Sequence, residues 1–379
     1  TANGTTLGGD NGVAVALMLM VLDDDEIEHP PVECVFTTEE EVGLNGAKAL
    51  DKSVLKARTM INMDSEDEGV ATVSCAGGLR VQFTKEIQRT TVQGSLLTLK
   101  VEGLLGGHSG QDIDKERQNA DLLMARMIQR LLKETKGQLV SFNGGTKDNA
   151  IPRECEASLI YESDEEAAKA EELACELAET YAEELTPAEP DFSCEISCET
   201  NRTAEAIPQD AAKEFICAMR LAPNGIQKRN IKMDGFVVVS LNLGVVRTEE
   251  DRIVMIFSPR SSVASLQEDT KERLNTLAET FGFTVSHSSE YPGWSFKEDS
   301  PVREICKESY KELFGEDLKI EAIHAGLECG LFSDAIKGLD AIAIGPTIAN
   351  CHTPDEYLTL DSFERFYEFL KDILSRLAK

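Results

Sequence analysis

Basic residues are scarce in this sequence. Its 379 residues carry 38 Lys and Arg against 68 Asp and Glu, a formal charge of −30. A surface of that sign repels nucleic acid and anionic lipid, so neither is an expected partner. Long hydrophobic runs are missing as well. The longest, residues 13–22, falls well short of the roughly 20 residues that cross a bilayer, and no basic segment with a cleavage site precedes it. A disulfide framework is not expected either, because the ten cysteines are scattered along a long chain. Cys34, Cys75, Cys155 and Cys217 sit in apolar runs and read as small buried hydrophobes. Cys194 and Cys198 lack a second Cys or His pair at zinc-finger spacing. The expectation is a protein of the reducing cytoplasm, without membrane or nucleic-acid partners.

The length allows two or three domains. Residues 1–77 alternate apolar strands (32–37, 59–63) with helices (11–22, 46–50), the pattern of a mostly parallel sheet covered on both faces. From about residue 78 the order becomes strand, helix, two strands, helix, strand: 96–102, 119–132, 139–142, 155–161, 165–184 and 194–198. That is the ferredoxin-like unit. It partly recurs as a helix over 211–221, strands at 237–246 and 253–257, a helix over 263–281 and a strand at 283–288. The α/β pattern returns over 291–379, with helices at 302–314 and 362–377 around strands at 320–323 and 341–344. The predicted architecture is one α/β domain, 1–77 with 291–379, interrupted by an α+β lid at 78–290. The lid divides into ferredoxin-like halves at about 78–203 and 204–290.

Four short segments can carry chemistry. Asp10, between glycines, could present its carboxylate to a cation or simply belong to an Asp-Asn-Gly turn. Glu40 and Glu41 follow the strand expected at 32–37, where ligand crevices of α/β sheets open. There Thr38 and Glu41 also fit a helix capping box. Asp64 ends the strand at 59–63, and His352 follows the strand at 341–344. Each has a bland reading, but together they place carboxylates and one histidine at strand ends of the same domain. That donor set suits a two-metal hydrolase.

Nine segments in order, GGDNG, TEEEVG, NMDSEDEG, GGHSG, NAIPRE, NLGVV, YPGW, HAGLECGLF and IGPTIANCHTPDE, resemble the aminoacyl-histidine (non-specific) dipeptidases. These belong to the zinc peptidase family shared with carnosinase, aminoacylase and succinyl-diaminopimelate desuccinylase. The resemblance implies a split zinc-peptidase catalytic domain with the lid inserted, acting on Xaa-His and broader dipeptides. It implies that Asp10 bridges two zinc ions, with Glu41 and His352 on one and Asp64 on the other. Glu40 would be the general base. His108 would stabilise the oxyanion from the lid, Asn149 and Arg260 would hold the substrate carboxylate, and Gly326 and Glu328 would border its amino end. The Asp10–Asn11 peptide would be cis. Both a monomer and a homodimer fit a doubled lid. His29 and His287 match no motif and are expected to be solvated.

One feature of the family is missing from these 379 residues. Its first ligand is a His in a His-x-Asp motif upstream of the bridging Asp, and none of the five histidines here is followed two places later by Asp. The expectation drawn from this is an N-terminally truncated chain that holds one zinc firmly and has little activity. Two alternatives accompany it: an inactive relative serving as a binding or assembly module, and a related aminoacylase or desuccinylase.

Overall fold

The computed structural model describes residues 1–231 and 235–379. The backbone forms two compact units, Thr1–Gly77 with Tyr291–Lys379, and Gly78–Glu290.

The first unit is built on a four-stranded sheet ordered Thr59–Asn62, Asp340–Ala343, Val70–Cys75, Lys319–Ile323. Its two outer pairings are parallel, and the central one is a single antiparallel pair, Ala343 with Thr72. Helices Gly9–Asp23, Pro301–Phe314, Glu328–Ala335 and Leu360–Leu377 belong to the same unit. Ala341 and Ala343 pack with Trp294, Cys329 and Phe332 in its core. The strand expected at 32–37 does not form. The Glu33 carboxylate instead accepts the backbone N–H groups of Lys56 (2.9 Å) and Ala57 (2.9 Å). A side chain thus joins two backbones where a ladder was expected, and Cys34 stays only half-buried. The capping box at Thr38 is not used either: the next helix, Asn45–Ala49, starts after Leu44.

The second unit is one continuous nine-stranded sheet with helices Ala120–Glu134, Asp164–Leu185, Gln209–Leu221 and Ala264–Thr280. Its strands run Thr284–Tyr291, Gly77–Glu86, Arg252–Ser261, Val237–Thr248, Gln138–Gly144, Cys155–Tyr161, Thr90–Glu102, Ser193–Ala206, with Gly225–Arg229 paired to Val237–Thr248. Each half has the ferredoxin-like order 4-1-3-2, and the two meet through their second strands. The halves are not the contiguous blocks 78–203 and 204–290. The first strand of the later half is Gly77–Glu86, which precedes the earlier half in sequence, and Ser193–Ala206 runs past residue 203. Only spatial pairing reveals this, because a strand looks the same in sequence whichever half it joins.

The core of this unit includes a carboxyl group. Asp121, in the first turn of Ala120–Glu134, is fully buried. Room for it exists because residue 144 is glycine: a Cβ there would lie 1.6 Å from Asp121 Oδ1. Burial pushes Asp121 up to about 8, against smaller opposing effects from the Cys155 thiol and Arg247. A carboxyl raised in the folded state contributes stability below its unfolded value, and that contribution is lost as pH rises through the folded value. Asp121→Asn removes this titration. Denaturant unfolding at pH 5 and pH 8 should therefore show the variant gaining on the wild type by roughly 3–4 kcal/mol across that interval. Parallel pH dependence of the two proteins would contradict a buried, neutral Asp121.

Candidate active site

Three ligand groups converge in the first unit. The Gly8–Gly9–Asp10 turn opens the helix Gly9–Asp23, and Gly8 adopts the left-handed φ of 74° that favours glycine. Asp10 and Asn11 keep non-helical backbone inside that helix, and the peptide between them is cis. Asp10 Oδ2 lies 3.1 Å from His352 Nε2, which is also 2.7 Å from Glu41 Oε1. One donor atom from each of Asp10, Glu41 and His352 therefore lies within 4.8 Å of the others. Glu39, Asn350 and His352 all take left-handed φ angles near 60°. Non-glycine residues in that region cluster at functional loops.

Asp64 is held beside this trio. It follows the strand Thr59–Asn62, and its Oδ1 accepts a 2.6 Å hydrogen bond from Asn11 Nδ2, which also donates to the Met63 carbonyl. Burial and then the Asp10 charge push Asp64 up to about 7. Burial likewise raises Asp10, with Glu41 adding to it, and raises Glu40, with Glu41, Glu328 and Asp10 adding to it. These carboxylates thus repel one another in a half-desolvated pocket, a condition that a divalent cation relieves. Two acidic oxygens and an imidazole nitrogen at this spacing also form a donor set that zinc accepts. His352 is raised chiefly by the Glu41 carboxylate.

Elsewhere in the first unit, Thr37 Oγ1 donates a 2.8 Å hydrogen bond to Glu328 Oε1, which fixes the Glu328 carboxylate at the start of its helix. Gly326 lies against Tyr291, whose ring a Cβ would meet at 2.8 Å.

The second unit gathers its own set. His108 pairs with Ala150 across the short strands Gly107–His108 and Ala150–Ile151, and Ser109 N–H donates to the Asn149 carbonyl at 2.8 Å. His108 Nδ1 accepts from the backbone N–H groups of Gly110 (3.2 Å) and Gln111 (3.0 Å). This assigns the proton of the neutral ring to Nε2. Burial and the nearby Arg260 charge lower the His108 pKa, against Asp112. Arg260 is only 7% exposed, whereas sequence alone gives no reason to bury it. His29 and His287 are exposed.

A family model, Peptidase family M20/M25/M40, matches residues 1–376. The chain belongs to this family. This peptidase is accordingly a hydrolase of peptide bonds. It is 35% identical to the Cytosol non-specific dipeptidase of Escherichia coli (strain K12), over 99% of this chain and 78% of that protein. The solved structure of aminoacylhistidine dipeptidase from Vibrio alginolyticus superposes with a TM-score of 0.95 at 35% identity, over 99% of this chain and 77% of that one. Aminopeptidase PepT from Bacillus cereus is more distant, with a TM-score of 0.50 and 16% identity over 99% of this chain and 72% of that one, a likeness of fold alone. The peptidase has no helix, among its described residues, long and apolar enough to cross a membrane. All ten of its cysteines are free thiols.

Sequence reasoning missed several residues of the site. Asn11 orients Asp64, Thr37 orients Glu328, and Glu356 grips the Asp10 loop. One candidate ligand atom each of Cys351 and Glu66 also lies within 4.8 Å of Asp10's. Burial and then Glu66 push the Cys351 thiol up to about 12, so it stays protonated near neutral pH. HTPDE and ANC in the His352 segment were the available signals, but spacing alone gives them no task.

Proposed function

We propose that this peptidase is a zinc-dependent dipeptidase acting on Xaa-His and broader dipeptides with free termini. The convergence of Asp10, Glu41 and His352 beside Glu40 carries the reading, and the dipeptidase relatives support the substrate class. Asp10, Glu41 and His352 would hold one ion, and Asp10 with Asp64 would serve a second. Bound zinc supplies Lewis acidity and brings the pKa of water toward neutrality. Glu40 takes a proton from the attacking water and delivers it to the leaving amine. His108 donates Nε2–H to the oxyanion. Arg260 and Asn149 bind the substrate carboxylate, Arg260 through a charge-assisted pair. Glu328, steadied by Thr37, faces the substrate ammonium, with Gly326 bordering it. The cytoplasm, named in the E. coli relative, is the proposed compartment.

The substrate's two ends give the test. A free dipeptide should turn over in proportion to bound zinc, and an N-acyl amino acid should not. Arg260→Ala should raise KM for the free dipeptide about 10–100-fold, the scale of one charged hydrogen-bonded pair. It should change little for the same dipeptide with an amidated C-terminus. Faster turnover of N-acyl amino acids would favour an aminoacylase or desuccinylase. Equal losses on free and amidated substrates would remove Arg260 from carboxylate binding.

A further inference from the structure

Glu356 lies four residues past His352, in a turn closed by its own hydrogen bonds. Thr353 N–H and Oγ1–H both donate to the Asn350 carbonyl, Asp355 N–H donates to Thr353 Oγ1, and Glu356 N–H donates to the Thr353 carbonyl. The Glu356 side chain is 2% exposed and reaches the other end of the sequence. Its Oε2 accepts from Leu7 N–H at 2.7 Å and Gly8 N–H at 3.0 Å, and its Oε1 accepts from Asp10 N–H at 3.1 Å. These backbone donors form a cradle for an anion. The fit is close: a Cβ on Gly9 would come within 3.1 Å of Glu356 Oε1.

The turn therefore grips the Asp10 loop at two points. His352 Nε2 meets the Asp10 carboxylate at 3.1 Å, and Glu356 holds the backbone that carries that carboxylate. A buried carboxylate is costly unless its oxygens are bonded, and here both are bonded by the one loop that must stay in register with His352. We infer that Glu356 is the positioning residue of the metal centre, locking the loops of Asp10 and His352 into a single ligand unit. Glu356 belongs to neither cluster of ligand atoms around Asp10. It acts through the Asp10 backbone, as outer partners of metal ligands do. The inference rests on the proposed metal reading of Asp10, Glu41 and His352.

The test is zinc affinity, measured by competition with a chromogenic chelator, alongside melting of the metal-free protein. Glu356→Gln keeps the side chain's size but turns an NH₂ group toward backbone donors. It should weaken zinc binding about 10–100-fold, the usual cost of losing an outer partner, with kcat falling only as far as zinc is lost and returning when zinc is added in excess. Gly9→Ala presses on the same carboxylate without removing it and should weaken zinc binding less, in the same direction. It also serves if the Gln variant fails to fold. His352→Ala is the control for the underlying reading. If His352→Ala weakens zinc binding while Glu356→Gln or Gly9→Ala binds zinc like the wild type, the positioning role is wrong. If His352→Ala also binds like the wild type, the metal reading itself fails. A lower melting point of the metal-free protein with unchanged zinc affinity would make Glu356 a fold brace only, which also overturns the inference.

Discussion

Replacing Glu40 with Gln should leave zinc in place and lower kcat by at least about 10²-fold, the scale of a lost general base. Glu40 is half-buried next to Glu41, yet Glu41, not Glu40, meets His352. Gln has the same shape, so the Asp10–Glu41–His352 set is untouched while proton transfer is removed. The pKa argument runs in the same direction. Burial and then the charges of Glu41, Glu328 and Asp10 raise Glu40 above an ordinary glutamate, bringing it nearer the pH at which it must accept and return a proton. Zinc content by atomic absorption beside steady-state kinetics decides the matter. Full zinc with retained turnover would take Glu40 out of the mechanism, and loss of zinc would make it a ligand.

Removal of His108 should cost nearly as much, by a different route. His108→Ala is expected to lower kcat about 10²–10³-fold with little change in KM, because an oxyanion donor acts mainly on the transition state. Two backbone N–H groups occupy Nδ1, so the proton sits on Nε2. Burial and the Arg260 charge lower its pKa, which favours the neutral ring. The neutral ring therefore has its Nε2–H free to donate. His108→Gln, which keeps an N–H donor on a side chain of similar reach, should recover part of the loss. A rise in KM with kcat unchanged would assign His108 to ground-state binding.

The residues of the proposed metal site stood out because they end or follow short apolar segments. Asp64 follows the strand Thr59–Asn62, and His352 comes after Asp340–Ala343. Patterning alone could not decide whether residues 32–37 pair with a neighbour, because a strand is defined by its partner. In the structure the Glu33 side chain takes the place of that ladder. The supporting residues were hidden for a related reason. Glu356 meets the Asp10 loop across nearly the whole chain, and Thr37 meets Glu328 across most of it. No local period encodes such contacts. Arg260 shows the converse case. It stands in a Ser-Pro-Arg-Ser-Ser segment, yet it lies on a strand buried along most of its length.

The interleaved halves of the second unit also bear on how the chain can fold. Gly77–Glu86 must find Arg252–Ser261 across roughly 170 residues, a closure that is slow when made directly. The earlier half needs no such search, because its helices and strands lie between residues 90 and 206. Once it folds, Thr90 and Ala206 stand opposite each other in the sheet. The remaining loop then behaves as though it were about 50 residues long, which lowers the closure cost by about 1 kcal/mol. The earlier half thereby acts as a staple that delivers the two ends of the later half side by side. Variants that weaken the pairing of Thr90–Glu102 with Ser193–Ala206 should slow the pairing of Gly77–Glu86 with Arg252–Ser261, a ladder in which those strands take no part.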